Sequence, residues 1–465
     1  LGREIDVVTV IVPIFVIVMG SADGLHFVTH FQDVAEKTSD PVDRVRSALQ
    51  HVGIPMILTT VSTAAGFLSL TFTDVRPIRQ MGAFAAAGIV FAGFISFFAL
   101  PAFLSRLKVE AKHHSAILGP RVTIGLKRLV SNRIPAIVLS AGLVIFALVA
   151  IPQLTVDADQ LFFFKDSDPV REAFDRTEKL FGGATPLIGE FAFDPAAGPE
   201  QFAEVQVLSR EMESLSGVRT VFSLADMASA LPADQLQSVL SGGLELPVGS
   251  MVSNDGLRFM LLPSDFSNED LQGWIDFVDS HDEIRVLTGM PIIWDEIARL
   301  VLQAQVVSLG VAFALVFFML MVAYRRLRET LVSLVPVILT ITTLLGFVAV
   351  SGIQLNLLTA IVSSIVLGVG IDYSIHFVAA IDNARAGGDG YVLRAIDRAG
   401  RPIVANALGI AIALSALWLS PLAIHPQVSM IMWVSMVTAA LAAMTIIPAL
   451  LPRAGVEMLS AVDSD

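Results

Sequence analysis

Residues Leu367 to Phe377 read LGVGIDYSIHF, inside an apolar run that extends from about Leu357 to Ile381. About 20 apolar residues suffice to cross a bilayer as a helix. An aspartate in such a helix costs about 2.5–3.5 kcal/mol on insertion scales, and it faces a protein interior or a water-filled path rather than lipid. Asp372 and His376 are four residues apart, so a helix puts them on one face. Gly368 shares that face and lets a neighbouring helix come close. The stretch thus reads as a membrane helix with a buried ionisable group and a titratable neighbour.

The rest of the chain agrees. Of its 465 residues, 54% are hydrophobic and 16% charged, and the mean hydropathy is +0.73. Soluble globular chains carry about 25% charged residues, so this is a polytopic membrane protein. The absence of cysteine excludes disulfides and thiolate metal sites. The net charge of −13 is unevenly spread: residues 156–297 hold 26 Asp and Glu against 8 Lys and Arg, a balance of −18 that leaves +5 elsewhere. Basic residues outside that block cluster in short segments between apolar runs, as in cytoplasmic loops. The acidic block is therefore expected to be extracytoplasmic, and its sign argues against nucleic acid as a partner. The opening LGREIDVVTV has no initiator Met, basic n-region or cleavage site, and does not read as a signal peptide.

Nine apolar runs follow in order, at about Val7–Phe31, Pro55–Phe72, Met81–Leu104, Pro135–Ile151, Leu300–Tyr324, Leu331–Val350, the opening stretch, Ile403–Leu419 and Val428–Leu451. They organise the chain into first-half spanning helices (1–106), a basic cytoplasmic linker (107–134), a spanning helix (135–155), an extracytoplasmic domain (156–297), second-half spanning helices (298–453) and a cytoplasmic tail (454–465). Within the linker, Leu118–Val130 has the pattern of an amphipathic surface helix. The acidic domain reads as strands at Leu187–Phe193, Val218–Phe222, Arg258–Leu262 and Ile284–Thr288, with helices at Pro199–Leu215, Ser223–Leu240 and Asn268–Ser280. That order, β-α-β-(α)-β-α-β, is that of a ferredoxin-like α+β domain.

The two ends of the chain repeat one another. At an offset of 350, Gly2, Thr9, Gly20, His26 and Phe27 meet Gly352, Thr359, Gly370, His376 and Phe377. After the first loop the offset becomes 347, and Gly53, Pro55 and Pro101-Ala102 meet Gly400, Pro402 and Pro448-Ala449. Three helices are repeated in parallel orientation, and coupling-ion sites of transporters lie at such repeat interfaces. Asp372 falls opposite Ala22, whereas Asp23 falls opposite Tyr373, so the carboxylates are displaced by about 100° around their helices. Asn406 falls opposite Thr59.

GVGIDYSIHF resembles the Gly-x-Gly-x-Asp-Tyr-x-x-x-His signature of the resistance–nodulation–division superfamily, closest to its MMPL and hopanoid-exporter branch, which is related to sterol-sensing proteins. GSADGLHFVTHF resembles the variant form found in the first half of such exporters, and DADQLFFFKDSDPVREAFDRTEKLFGG the stretch after their seventh helix. The family pattern has twelve helices, so the resemblance implies that the nine runs are helices 4–12 of an N-terminally truncated chain. It further implies proton-driven export of hydrophobic or lipid-like molecules at a cytoplasmic membrane, with Asp372, Tyr373, His376, Asp23 and His26 as the proton relay. Gly368, Gly370 and Gly20 are expected to pack helices, and Asn406 and Thr59 to support the relay or pack. Thr60, Ser62 and Thr63, like Thr59, read as packing residues, His30 as an interfacial one, and Tyr373 as a hydrogen-bond partner of a carboxyl.

Protons are the only coupling species expected. Asp372 and His376 supply two metal ligands, fewer than a site needs, and no GxxxxGK[ST] loop for ATP occurs. The expected partners are membrane lipids, a hydrophobic substrate and a second copy of the chain. A lipid- or sterol-sensing receptor without a transport cycle, or an accessory subunit, is the alternative. No nucleophile–base arrangement is readable, so enzymatic activity is not expected.

Overall fold

The computed structural model describes residues 6, 8–34, 38, 40–107, 120–131, 133–154, 160–181, 185–194, 200–228, 256–264 and 266–451. The chain divides into two units, one made of Leu1–Asp157 with Leu300–Asp465 and the other of Ala158–Arg299.

The first unit is helical: α1 (Val12–Asp33), α2 (Pro41–Ser69), α3 (Arg76–Phe94), α4 (Leu100–Leu104), α5 (Pro120–Ser131) and α6 (Arg133–Ala150). After the second unit it resumes with the later part of α11 (Met290–Tyr324), then α12 (Leu327–Ser351), α13 (Leu357–Arg385), α14 (Tyr391–Ala395), α15 (Arg401–Leu414) and α16 (Ile424–Leu450). Among the described residues, nine helical spans are long and apolar enough to cross a membrane, as the sequence predicts.

The second and eighth spans begin well before the points at which hydropathy alone places them. The amphipathic segment Val42–Leu49 is continuous with the second apolar run in α2, which starts at an Asp40 cap and passes through Pro55. The eighth span starts at Tyr391 and passes through a π-helical turn at Ile396–Gly400. In both, a polar amphipathic turn extends an apolar helix, and an average over the window hides it.

Helix α13 lies at the centre. Every residue from Leu358 to Val378 is buried, as expected of a helix that is apolar all round. Asn356 caps its start, accepting from the backbone N–H groups of Leu358 and Thr359. One face packs Leu367, Ile371 and Ile375 against Ala312, Val316 and Leu320 of α11 and Leu334, Val337 and Ile341 of α12. Gln305 of α11 donates to the Ser363 hydroxyl at 2.8 Å. The repeat is visible in the packing: α1 meets α3 and α3 meets α2, just as α13 meets α16 and α16 meets α15. Across the halves, α2 packs on α13 and α15 on α1.

Helices α2 and α13 cross closely. A Cβ at Gly66 would lie 2.9 Å from the Ser364 carbonyl oxygen, and one at Gly368 would lie 3.0 Å from that of Ser62. Glycine on both helices lets their backbones approach this closely. Gly20 plays a similar part between α1 and α3, where a Cβ would meet that of Ala92 at 2.5 Å, whereas Gly370 has ordinary clearance from Ala439 at 3.5 Å.

The second unit contains α7 (Pro169–Phe181), β1 (Leu187–Ala192), α8 (Glu200–Glu213), β2 (Val218–Ser223), α9 (Leu224–Ala228), β3 (Gly256–Pro263), α10 (Asn268–Asp279) and β4 (Ile284–Gly289). Its sheet has the order β2-β3-β1-β4 with neighbouring strands antiparallel. That is the split β-α-β arrangement of a ferredoxin-like domain, with α8 and α10 as crossovers. Leu187, Phe191, Leu257, Phe259 and Leu261 alternate onto one face and form a core with Phe202, Met212, Leu271 and Trp274. The indole Nε1 of Trp274 donates to the Ser216 carbonyl at 2.8 Å, so Trp274 is a core residue. The helix expected over Ser223–Leu240 is described only as α9, and residues 229–255 lie outside the described set, as do 108–119 of the linker and the tail. Helix α7 was not read from the sequence, where its stretch carried only the family resemblance.

Candidate functional site: two carboxylates on one hydroxyl-bearing helix

Asp372 is buried on α13 and Asp23 on α1. The sequence places them on displaced faces of repeated helices, and the structure shows what the displacement does: both reach α2. Thr59 Oγ1 donates to Asp23 Oδ1 and Thr60 Oγ1 to Asp23 Oδ2, each at 2.6 Å. Ser62 Oγ donates to Asp372 Oδ1 at 2.9 Å, and Thr63 Oγ1 to Oδ2 at 3.3 Å. Four hydroxyls within five residues of α2 therefore hold both carboxylates, with the two pairs about 4.5 Å apart along the helix axis.

Three of these hydroxyls have a second acceptor. Thr59 Oγ1 also lies 2.9 Å from the Met56 carbonyl, Ser62 Oγ 2.9 Å from the Thr59 carbonyl, and Thr63 Oγ1 3.5 Å from the Gly368 carbonyl. A hydroxyl has one proton and two lone pairs. It can donate to an ionised carboxylate, or turn its proton to the backbone and accept from a protonated one. The site thus accommodates either protonation state without moving a helix.

The second half lacks the matching site. The repeat sets Asp372, Ser62 and Thr63 opposite Ala22, Gly409 and Ile410, so carboxyl and hydroxyls are absent together. Asn406, opposite Thr59, is buried on α15, and every described hydrogen bond to either carboxylate comes from α2.

The histidines do obey the repeat. His26 and His376 stack ring on ring, with centroids 3.9 Å apart and planes at 20°. Residues related by the repeat touch where its axis passes. Both Nε2 atoms are buried without a hydrogen-bond partner.

Other placements depart from expectation. The Tyr373 hydroxyl donates to the Met436 sulfur at 3.5 Å rather than to a carboxyl. Thr60, Ser62 and Thr63, read as packing residues, are the carboxylates' donors, together with Thr59, which was expected to support the relay or to pack. Hydroxyls in apolar helices usually bond their own backbone, so sequence alone offers no signal except their density at one depth opposite a carboxylate. His30, expected at an interface, is half-buried with its ring 5.0 Å from that of His51. Among the described residues, no group of three or more His, Asp or Glu is arranged to hold a metal ion.

Comparison with known proteins agrees with this architecture. Residues 276–463 match the family model described as MMPL family, and residues 1–117 match that of the sterol-sensing domain of SREBP cleavage-activation. The chain is 34% identical over 89 residues to the hopanoid transporter HpnN of Rhodopseudomonas palustris, a match covering 19% of this chain and 10% of that protein. It is 22% identical over 239 residues to the membrane protein MJ1562 of Methanocaldococcus jannaschii, covering 49% of this chain and 60% of that protein. The chain thus spans less than two thirds of either relative. With nine candidate spans among the described residues and a parallel repeat, the chain is a multi-pass membrane protein that is similar over residues 276–463 to the MMPL family and over residues 1–117 to a sterol-sensing domain.

Proposed function

We propose that this chain is the proton-coupled part of an exporter of hydrophobic or lipid-like molecules. The carrying observation is the pair of buried carboxylates, one from each half of the repeat, held by hydroxyls that suit either protonation state. A purely structural contact between apolar helices does not need two ionisable groups, which are costly in a membrane. The similarity to a hopanoid transporter supports a lipid-like substrate. The basic segments at 325–328 and 385–401 support an orientation with those loops in the cytoplasm and the acidic domain outside. In this reading no covalent chemistry is catalysed.

The test is Asp372→Asn in proteoliposomes carrying a pH gradient. Proton flux and substrate export should both fall to background while the helical circular dichroism is retained. Undiminished export in the folded variant would sink the proposal. The match of residues 1–117 to a sterol-sensing domain favours a second reading, a lipid receptor without a transport cycle. Lipid binding that persists unchanged with no pH gradient and no proton flux would select it.

A further inference from the structure

A cleft opens between α1, α2, α13 and the start of α15. His51, His30, His26 and His376 line it, together with Asn383 and Arg398. Four of the chain's 8 histidines therefore face one cleft. Their burial is graded: His51 is exposed, His30 half-buried, and His26 and His376 buried at 7% and 8% exposure.

The rings also form a sequence of neighbours. His51 and His30 have centroids 5.0 Å apart. His30 and His26 are one turn apart on the same face of α1. His26 stacks on His376 at 3.9 Å. At the inner end Asp23 precedes His26 by one turn, and Asp372 precedes His376 by one turn. Nothing in the core packing requires imidazole at four successive positions.

We propose that His51, His30, His26 and His376 form a proton path between the mouth of this cleft and the carboxylates Asp23 and Asp372. A neutral imidazole carries one N–H and one lone pair, so it takes a proton at the lone pair, and the cation formed can release one from either nitrogen as the ring turns. Each step conserves charge: one proton enters at His51 and one arrives at a carboxylate. The His51 Nδ1 lies 2.8 Å from the Ser47 carbonyl, which can only accept. Its Nδ1 therefore carries hydrogen and its Nε2 lone pair is the one that takes a proton. The unpartnered Nε2 atoms of His26 and His376 are the corresponding acceptors inside. Arg398 is the permanently charged group on the described lining. It repels a resident cation and so favours transfer over trapping.

The path rests on the carboxylates being proton carriers, and the test separates the two. Proton flux is measured on the intact protein in proteoliposomes for the wild type, His51→Ala, His30→Ala and Asp372→Asn, with and without added imidazole. Each histidine variant should lose about tenfold or more of the flux, in line with the effect of a positioned proton carrier. Imidazole entering the cleft should restore it, whereas Asp372→Asn should stay inactive with imidazole present. Wild-type flux in both histidine variants, beside an inactive Asp372→Asn, would overturn the path and leave the carboxylate reading standing. Loss that imidazole does not repair would also overturn it, because a structural role is not rescued by a free base. Flux in Asp372→Asn, or none in the wild type, would overturn the carboxylate reading and the path with it.

Discussion

At the scale of single residues, the two carboxylates are unequal. Asp372 completes a constellation whose repeat-related copy, Ala22 with Gly409 and Ile410, has no polar group. Asp23 occupies the neighbouring position and turns to the hydroxyls of α2 instead. This ties both carboxylates to one helix: the Thr59 hydroxyl donates to Asp23, and the single Ser62 proton turns either to Asp372 or to the Thr59 carbonyl. Protonating one carboxylate rotates hydroxyls that lie within a turn of the other. Hydrogen bonds to charged groups contribute about 1.5–3 kcal/mol each, so their loss should be measurable. We expect Ser62→Ala with Thr63→Val to lower proton flux about tenfold or more, and Thr59→Val with Thr60→Val to lower it too. Tyr373→Phe should lower flux little, because its hydroxyl meets the Met436 sulfur. A large loss in Tyr373→Phe with little in the α2 variants would contradict this ordering of roles.

At the scale of elements, the α2–α13 crossing sets the geometry of the site. Gly66 and Gly368 let the helices approach until short side chains such as Ser62 and Thr63 reach Asp372. Gly368→Ala inserts a methyl 3.0 Å from the Ser62 carbonyl. Overpacking of this kind costs about 1–3 kcal/mol, and here it also lengthens the bonds to Asp372. Flux should therefore fall by more than the loss in thermal stability accounts for, and equal losses would argue against the crossing as a positioning device. In the α+β unit, α10 begins with a capping box: the Ser267 hydroxyl accepts from the Asp270 N–H at 3.2 Å, and Asp270 Oδ2 accepts from the Ser267 N–H at 2.8 Å. Ser267→Ala should cost about 1 kcal/mol in denaturant unfolding of this unit. The Ser267 backbone N–H, with the Ser216 and Ser267 hydroxyls, holds the Asp270 carboxyl below its ordinary 3.8. A carboxyl lowered in the folded state stabilises above its unfolded value and loses that contribution as pH falls through the folded one. The unit should weaken in acid below about pH 4, and Asp270→Asn should flatten that part of the profile.

At the scale of the whole molecule, the chain holds two kinds of core. The α+β unit has a closed apolar core and an antiparallel sheet, so residues 158–299 expressed without the later spanning helices should unfold cooperatively in solution. A molten, non-cooperative product would show that its core depends on the membrane helices. Much of the architecture was legible in the sequence, because its signals are local. Nine runs long enough to span are a matter of length and hydropathy, the repeat is carried by Gly, Pro and His at constant offset, and the strands themselves are marked by local pattern. Asp372 was legible too, since a carboxylate in an apolar helix is costly wherever the helix packs. The environment of Asp372 depended on long-range packing. Thr59, Thr60, Ser62 and Thr63 look like packing residues until α2 lies against α1 and α13, contacts that close over hundreds of residues. The histidine cleft likewise exists only where α1, α2, α13 and α15 converge. By itself the sequence determined which segments enter the membrane and where its charge is costly, because burial of each segment is decided by its own composition. Only the tertiary structure decided which groups satisfy that charge, because a hydrogen bond between helices depends on a crossing that no single segment encodes.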